Sequence, residues 1–547
     1  MRSWLPLLCI ILFPVLLYSQ DSTQSFLSLS NTGVNEFLKI HPEYDGRGTI
    51  ILIFDTGVDM GVDGLTHTST GEVKLIDVQD FTSQGDVQLY NAEIEEKDEI
   101  SFFINEEMNY KIMGANKLTY HSVDNTYYIG AFKERSLINS GSKSADLNHN
   151  GTTDDNYMMV TFKTLAEEDQ FWVAYVDTDG DGDISDEFPL HNYKDYKESF
   201  TIKTENELPP LTMGLNIFPG EKKISIHFDD GAHGTHVAGI AAGNNIGGTG
   251  LNGVAPGAYL ISCKLGNNLY SGGATVTESM KNSFLYADKL SRETELPCII
   301  NMSFGIGSEI EGRSEMAAFI GGLVKENPYL FVCTSNGNSG PGISTAGLPS
   351  SSEFVFSTGA VLPEETGRDL YSTNLGRDII LHFSSRGGEV NKPDICAPGA
   401  CTSTVPNWSE KDRFWGTSMA SPYSAGIIAL LVSAMRNEFP DIKIPAHLVY
   451  RALKESATNL AGYTHLDQGS GYINVLSAYE LLKKYVKQGE TNKIETYHIT
   501  SEAPNMPDGN AWNLYLRNGL FLIFVMCSHQ PYTVFYQSLP LLCLWSV

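Results

Sequence analysis

The stretch "GTIILIFDTGVD" (48–59) constrains this 547-residue chain more than any other. Apolar residues run unbroken from Ile50 to Phe54 and stop at Asp55 and Gly57. A half-exposed strand would alternate; an unbroken run closed by turn residues marks a strand covered on both faces, as in a parallel sheet. "AYLISCKL" (258–265), "LPCIINMSFG" (296–305) and "YLFVCTSNGN" (329–338) repeat the pattern. Helical stretches alternate with them: "HVAGIAAG" (236–243), "TESMKNSFLYADKL" (277–290) and "EMAAFIGGLVKE" (315–326). Alternation of this kind predicts an α/β fold, a parallel sheet flanked by helices. Polar residues just past the C-terminal ends of such strands border the ligand crevice. Asp55, Ser303 and Asn338 hold those places.

The rhythm breaks over 61–224, where short alternating stretches such as "SFFINEE", "NYMMVTF" and "EDQFWVAYV" predict a β-rich, acidic insertion. It stops again after about residue 485. The expected organisation is a signal peptide over 1–20, then the first part of the α/β domain over 21–60. The insertion follows over 61–224, the remainder of the α/β domain over 225–485, and the start of a C-terminal region over 486–547. The final stretch, "LFLIFVMCSHQPYTVFYQSLPLLCLWSV", is interrupted by "SHQPYT" and is open between a truncated end and a reading-frame artefact.

"MRSWLPLLCIILFPVLLYSQ" has one Arg, a short Pro-broken apolar run and then polar residues. That is a secretory pattern, too short for a comfortable membrane span. It predicts export (secreted, periplasmic or cell-surface) and no membrane association beyond this segment. The net charge of −28 leaves no basic excess for phosphates and argues against a nucleic-acid partner. Of eight cysteines, Cys9 lies in the leader and Cys527 and Cys543 in the tail. Cys263, Cys298, Cys333, Cys396 and Cys401 remain, odd in number and without metal-like spacing, and read as buried free thiols.

"FWGTSMASPYSAGIIALL" (414–431) places Ser418 among small residues at the start of an apolar helix, with Pro422 where a first turn tolerates it. A serine hydroxyl needs a base, and the base an orienting acid. A helix start favours the negative charge that develops on an attacked carbonyl. His233 in "GAHGTHVAGIAAG" is a base candidate with no bulky neighbour, while His236, one turn on, points to the core. The pair lacks the glutamate of a zinc-peptidase helix. Asp55 is the acid candidate. Asn338, in the glycine-rich "TSNGNSGPG", is a candidate oxyanion donor.

Together, "FDTGVD", "HGTHVAG", "INMSFG", "NGNSG" and "GTSMASP" resemble the signature blocks of the subtilisin-like serine peptidases, in the family's order. The resemblance implies Asp55 as orienting acid, His233 as general base and Ser418 as nucleophile. It implies Asn338, with the Ser418 backbone N–H, as oxyanion donors. It also implies peptide or protein substrates, bound as an added strand against Ser303, Phe304 and Gly305 and a segment near Tyr270 that includes Gly272 and Gly273. No cofactor is implied for the chemistry. "LNGVAPGA", "STAGLPSS", "FSSRGGEVNKPDICAPGA" and the long insertion narrow the resemblance to the catalytic portion of the tripeptidyl-peptidase II group, over roughly residues 30 to 485. That group is intracellular, and it grips the substrate's free N-terminus with two glutamates. The matching places here hold Gly273 or Ala274, and Ile306; Glu278, Glu309 and Glu311 are nearby but shifted. Endopeptidase action and tripeptide release both stay open, as does a non-catalytic secreted binding protein or an inactive fragment of a larger peptidase. The oligomeric state is not legible.

"DTDGDGDISDEF" (177–188) sets Asp177, Asp179 and Asp181 at alternate positions before Gly182, the pattern of a calcium loop, with Asp183 beside them. Phe188 stands where a bidentate glutamate is expected, next to Asp186 and Glu187. The loop is a candidate structural calcium site with Asp177, Asp179, Asp181 and Asp183 as ligands. "DLNHNGTTDD" (146–155) is a weaker echo.

Overall fold

The computed structural model describes residues 27–166, 168–204, 207–266, 276–307 and 310–490, together with backbone strands at 500–503, 506–511 and 533–534. Residues 1–20, expected as a signal peptide, Gly272, Gly273 and most of the 486–547 region lie outside the described residues.

The predicted strand Ile50–Asp55 is an interior strand of an eight-stranded sheet. It pairs in parallel with Tyr259–Lys264 on one side and Cys298–Met302 on the other. Leu330–Ser335 and Phe356–Leu362 continue the sheet in parallel beyond Cys298–Met302. Ile50, Leu52 and Phe54 pack into one apolar layer with the helices Val276–Glu293 and Glu315–Glu326. Ile51 and Ile53 pack into the opposite layer with His233–Ala242 and Thr417–Glu438. That two-sided burial explains the unbroken run. Each such side chain contributes about 1.5–3 kcal/mol by leaving water.

Thr417–Glu438 crosses beneath the sheet and is buried on every side from Met419 to Met435. A helix apolar all round is a core helix. The five described cysteines are free and buried, as expected.

The insertion is β-rich, but its boundary differs from the expected 61–224. Leu75–Asp80 is an edge strand of the central sheet, parallel to Tyr259–Lys264. Its pattern hid it: "LIDVQD" carries polar residues that an edge strand can satisfy locally, as when Asp77 Oδ1 accepts from the Gln79 side-chain amide at 3.0 Å. Beyond it stands an antiparallel six-stranded sheet. Its order is Tyr110–Met113, Ile100–Asn105, Tyr90–Lys97, Tyr127–Lys133, Asn156–Ala166, Asp169–Val176. A small sheet of Gly214–Phe218, Lys223–His227 and Asp86–Gln88 joins it, so the expected cut at 224 falls inside a strand. Lys223–His227 delivers the chain directly to the histidine helix, which begins at His233.

Candidate active site

Asp55 ends the strand Ile50–Asp55 and is 3% exposed. Its Oδ1 lies 2.7 Å from His233 Nδ1 and also accepts from the Thr56 N–H at 2.9 Å. A carboxylate only accepts, so Nδ1 carries the proton and Nε2 is left free to act as a base. Burial alone would lower the His233 pKa. The Asp55 carboxylate, by its charge and its hydrogen bond, more than offsets this, Asp229 adds to it, and the pKa rises above the ordinary value. His236 is fully buried; burial first, and then His233, drive its pKa down to about 3. Its Nε2 donates to the Asp412 carbonyl at 3.0 Å, which makes it a core histidine, as expected.

What fixes His233 was not read from the sequence. Ala232 sits at φ 61°, turning the chain sharply into the helix. Asp229 receives the N–H groups of Gly231, Ala232 and Thr235 and the hydroxyls of Thr56 and Thr235. It thus ties the first turn of the histidine helix to the loop after Asp55. Next to it, Lys264 Nζ pairs with Asp230 Oδ1 at 2.7 Å, both side chains without solvent exposure. Lys264 also donates to the Thr56 carbonyl, and it faces Asp55 in the strand register. The adjacent aspartates in "HFDDGAHGTH", just before the base, were the available signal. Lys264→Met should cost about 3–5 kcal/mol, because it leaves Asp230 buried without its cation. Urea unfolding at neutral pH would measure this.

Ser418 lies in the first turn of the helix Thr417–Glu438. Because the helix begins there, Pro422 stands in its interior and not in the expected first turn. A proline there has no N–H for the carbonyl four residues back, that of Ser418. The Ser303 hydroxyl donates to that carbonyl at 2.7 Å, and the Ser418 hydroxyl donates to the Ser303 carbonyl at 3.1 Å. Buried Asn301 donates to Ser303 Oγ at 3.0 Å and accepts from Ser421 Oγ at 2.6 Å. This relay locks the end of the strand Cys298–Met302 to the serine helix. In this rotamer Ser418 has not turned to His233; a resting site often closes that bond only around substrate.

Asn338 follows the strand Leu330–Ser335 and is exposed. Its Oδ1 accepts from the Thr417 N–H and hydroxyl, both at 3.0 Å. That backbone donor settles the amide orientation: the oxygen faces inward and the NH2 outward. Gly416, at φ 150°, lies under this amide; a Cβ there would come within 3.3 Å of Asn338 Nδ2. The structure therefore gathers Asp55, His233, Ser303, Asn338 and Ser418 at one end of the sheet. Ser303 is buried, Phe304 half-buried and Gly305 exposed, and the next residue, Ile306, pairs antiparallel with Leu348.

Glu311, one of the shifted glutamates, is 3% exposed, and its Oε2 accepts from the N–H groups of Gly388, Glu389 and Val390. Glu309 lies outside the described residues. In the acidic loop, the Asp177, Asp179 and Glu187 carboxylates converge, as do those of Asp179, Asp181 and Asp186. Asp183 is in neither group; its Oδ1 accepts from the Ser185 N–H at 2.9 Å.

A sequence profile described as the subtilase family matches residues 46–472. Tripeptidyl-peptidase 2 of Oryza sativa subsp. japonica is 29% identical over 90% of this chain and 40% of its own length. Pyrolysin of Pyrococcus furiosus is 28% identical over 80% of this chain and 35% of its own length. Subtilisin DY of Bacillus licheniformis is 33% identical over 48% of this chain and 82% of its own. The crystal structure of tripeptidyl peptidase 2 superposes with a TM-score of 0.63 at 22% identity, over 84% of this chain and 38% of that one, a likeness of fold. The chain thus spans about two-fifths of the length of the tripeptidyl-peptidase relatives it matches.

Proposed function

This chain belongs to the subtilase (peptidase S8) family, and from that premise we propose that it hydrolyses peptide bonds by an Asp55–His233–Ser418 triad through an acyl-enzyme on Ser418. The buried 2.7 Å Asp55–His233 contact carries the reading, because it holds the imidazole tautomer whose proton is on Nδ1 and leaves Nε2 to act as the base. The substrate lies as an added strand along Ser303–Gly305. The Ser418 hydroxyl leaves the Ser303 carbonyl, gives its proton to His233 Nε2 and attacks the substrate carbonyl. Asn338 Nδ2 and the Ser418 N–H hold the oxyanion. His233 protonates the leaving amine, and water, deprotonated by the same nitrogen, releases the acyl group. Asn338→Ala should lower kcat by about 10²–10³-fold with little change in KM, since the donor meets only the developing charge. Steady-state kinetics on a chromogenic peptide would test it.

Internal cleavage is the favoured mode. Ile306, not a glutamate, follows Gly305, the place where the tripeptidyl-peptidase group carries one of its gripping glutamates. The similarity to tripeptidyl-peptidase 2 along most of the chain favours tripeptide release as the second mode. Mass spectrometry of products from matched peptides, with free or acetylated N-termini, separates them. Internal cuts in both sets support the endopeptidase. Stepwise tripeptides from free N-termini alone would replace it with the exopeptidase. No cleavage of either set would sink both in favour of a non-catalytic binding protein or an inactive fragment.

A further inference from the structure

The peptidase chemistry leaves one charged cluster unused, in the insertion. The loop after the strand Asp169–Val176 is pinned to a neighbouring hairpin: the Met113 N–H donates to the Gly182 carbonyl at 2.9 Å, and the Ile184 N–H to the Met113 carbonyl at 3.1 Å. Ile184 is fully buried. Gly180 and Gly182, at φ 72° and 81°, curl the loop between these anchors. Asp177 is consequently held 3% exposed. Its Oδ2 accepts from the Gly182 N–H at 3.2 Å, but its buried Oδ1 has no hydrogen-bond partner. A buried, unpartnered carboxylate oxygen is costly unless a cation meets it.

Other carboxylates point to the same place. Ligand oxygens of Asp177, Asp179 and Glu187 lie within 4.8 Å of one another. Glu187 is oriented by the Thr178 N–H at 2.6 Å and the Thr178 hydroxyl at 2.8 Å. Lys203 reaches Asp179 Oδ2 at 3.2 Å, but from the solvent side, 71% exposed. Phe188, where the loop pattern expects the last acidic ligand, is 83% exposed and takes no part; Glu187 comes in from one residue earlier.

We propose that this loop binds one calcium ion, held by Asp177 Oδ1 and the carboxylates of Asp179 and Glu187. An all-oxygen, multiply charged set on a curled loop suits a hard cation that accepts irregular coordination, which selects calcium over magnesium and over softer metals. The ion would fasten the end of the six-stranded sheet to the hairpin around Met113 and take no part in hydrolysis. The echo loop differs. There Asp146 accepts from the Asn150 and Gly151 N–H groups, and Asp155 from the Asn148 and Asn150 side chains, so these two carboxylates are already partnered.

The test uses the full chain carrying Ser418→Ala, so that self-cleavage does not intrude, freed of metal with a chelator. Calcium is titrated calorimetrically, and Tm is recorded with and without it. The parent should bind calcium and gain Tm. Asp177→Asn should lose one equivalent and the matching rise in Tm. Without calcium it should be at least as stable as the parent, because an unpartnered buried charge is gone. Asp146→Asn should keep the equivalent. Equal stoichiometry in the parent and Asp177→Asn, or a parent Tm indifferent to calcium, would overturn the site. Should Asp177→Asn fail to fold, Glu187→Gln must lose the same equivalent or the proposal fails.

Discussion

Ser418→Ala should abolish peptide hydrolysis, a loss of about 10⁶-fold in kcat, and leave the fold intact. The magnitude follows from the nucleophile acting as one unit with its base; without the hydroxyl, His233 has no proton to accept and only water and the oxyanion donors remain. The stability forecast is specific to this site. The hydroxyl makes one hydrogen bond, to the Ser303 carbonyl. The bond that holds the helix start, from Ser303 Oγ to the Ser418 carbonyl, uses the backbone and survives the substitution. Single-turnover kinetics with a chromogenic peptide, beside thermal unfolding of both proteins, would check each half. A variant that turned over peptide at the parent rate would end the proposed mechanism. One that lost several degrees of Tm would show that the hydroxyl is structural as well.

Asp55→Asn should lower kcat by about 10⁴-fold and move the pH profile. An amide can present its NH2 to Nδ1, which favours the tautomer with the proton on Nε2 and blocks that nitrogen as a base. The pH effect has a definite sign. The base must be neutral, so kcat/KM falls as pH drops through the His233 pKa. Asp55 raises that pKa against burial, which places the acid limb of the parent above the ordinary histidine value. In the variant the raising charge is gone and burial remains, so the residual activity should keep its plateau to lower pH. An acid limb at the same pH in both proteins would mean that another group governs it.

The two forecasts draw differently on sequence and structure. Ser418, His233, Asp55 and Asn338 were legible because each sits in a short segment of small residues at the end of an apolar element, where little but chemistry requires a polar group. Ser303 was legible for the same reason. The supports were not. Asp229 lies outside those motifs and Lys264 inside an apolar run, while Asn301 and Ser421 lie within the motifs with nothing in the local pattern to mark them as partners. Their meaning is in their partners, which are 173 residues away for Thr56–Asp229 and 120 for Asn301–Ser421. Leu75–Asp80 was lost to the insertion because an edge strand does not need the two-sided apolar pattern that marked the others.

By itself, then, the sequence determined the parallel sheet, four of its buried strands and the residues at its C-terminal edge. These are local properties: period, turn residues and small side chains next to one polar group. Tertiary structure alone decided which polar residues are committed to the framework and which face the cleft. Glu311 Oε2 is held by three backbone N–H groups, Asp183 Oδ1 accepts from the Ser185 N–H, and Pro422 frees a carbonyl that Ser303 fills. Each outcome depends on whether a donor from a distant segment arrives within hydrogen-bond distance. Burial makes a missing donor costly, so the chain settles where the donors are met.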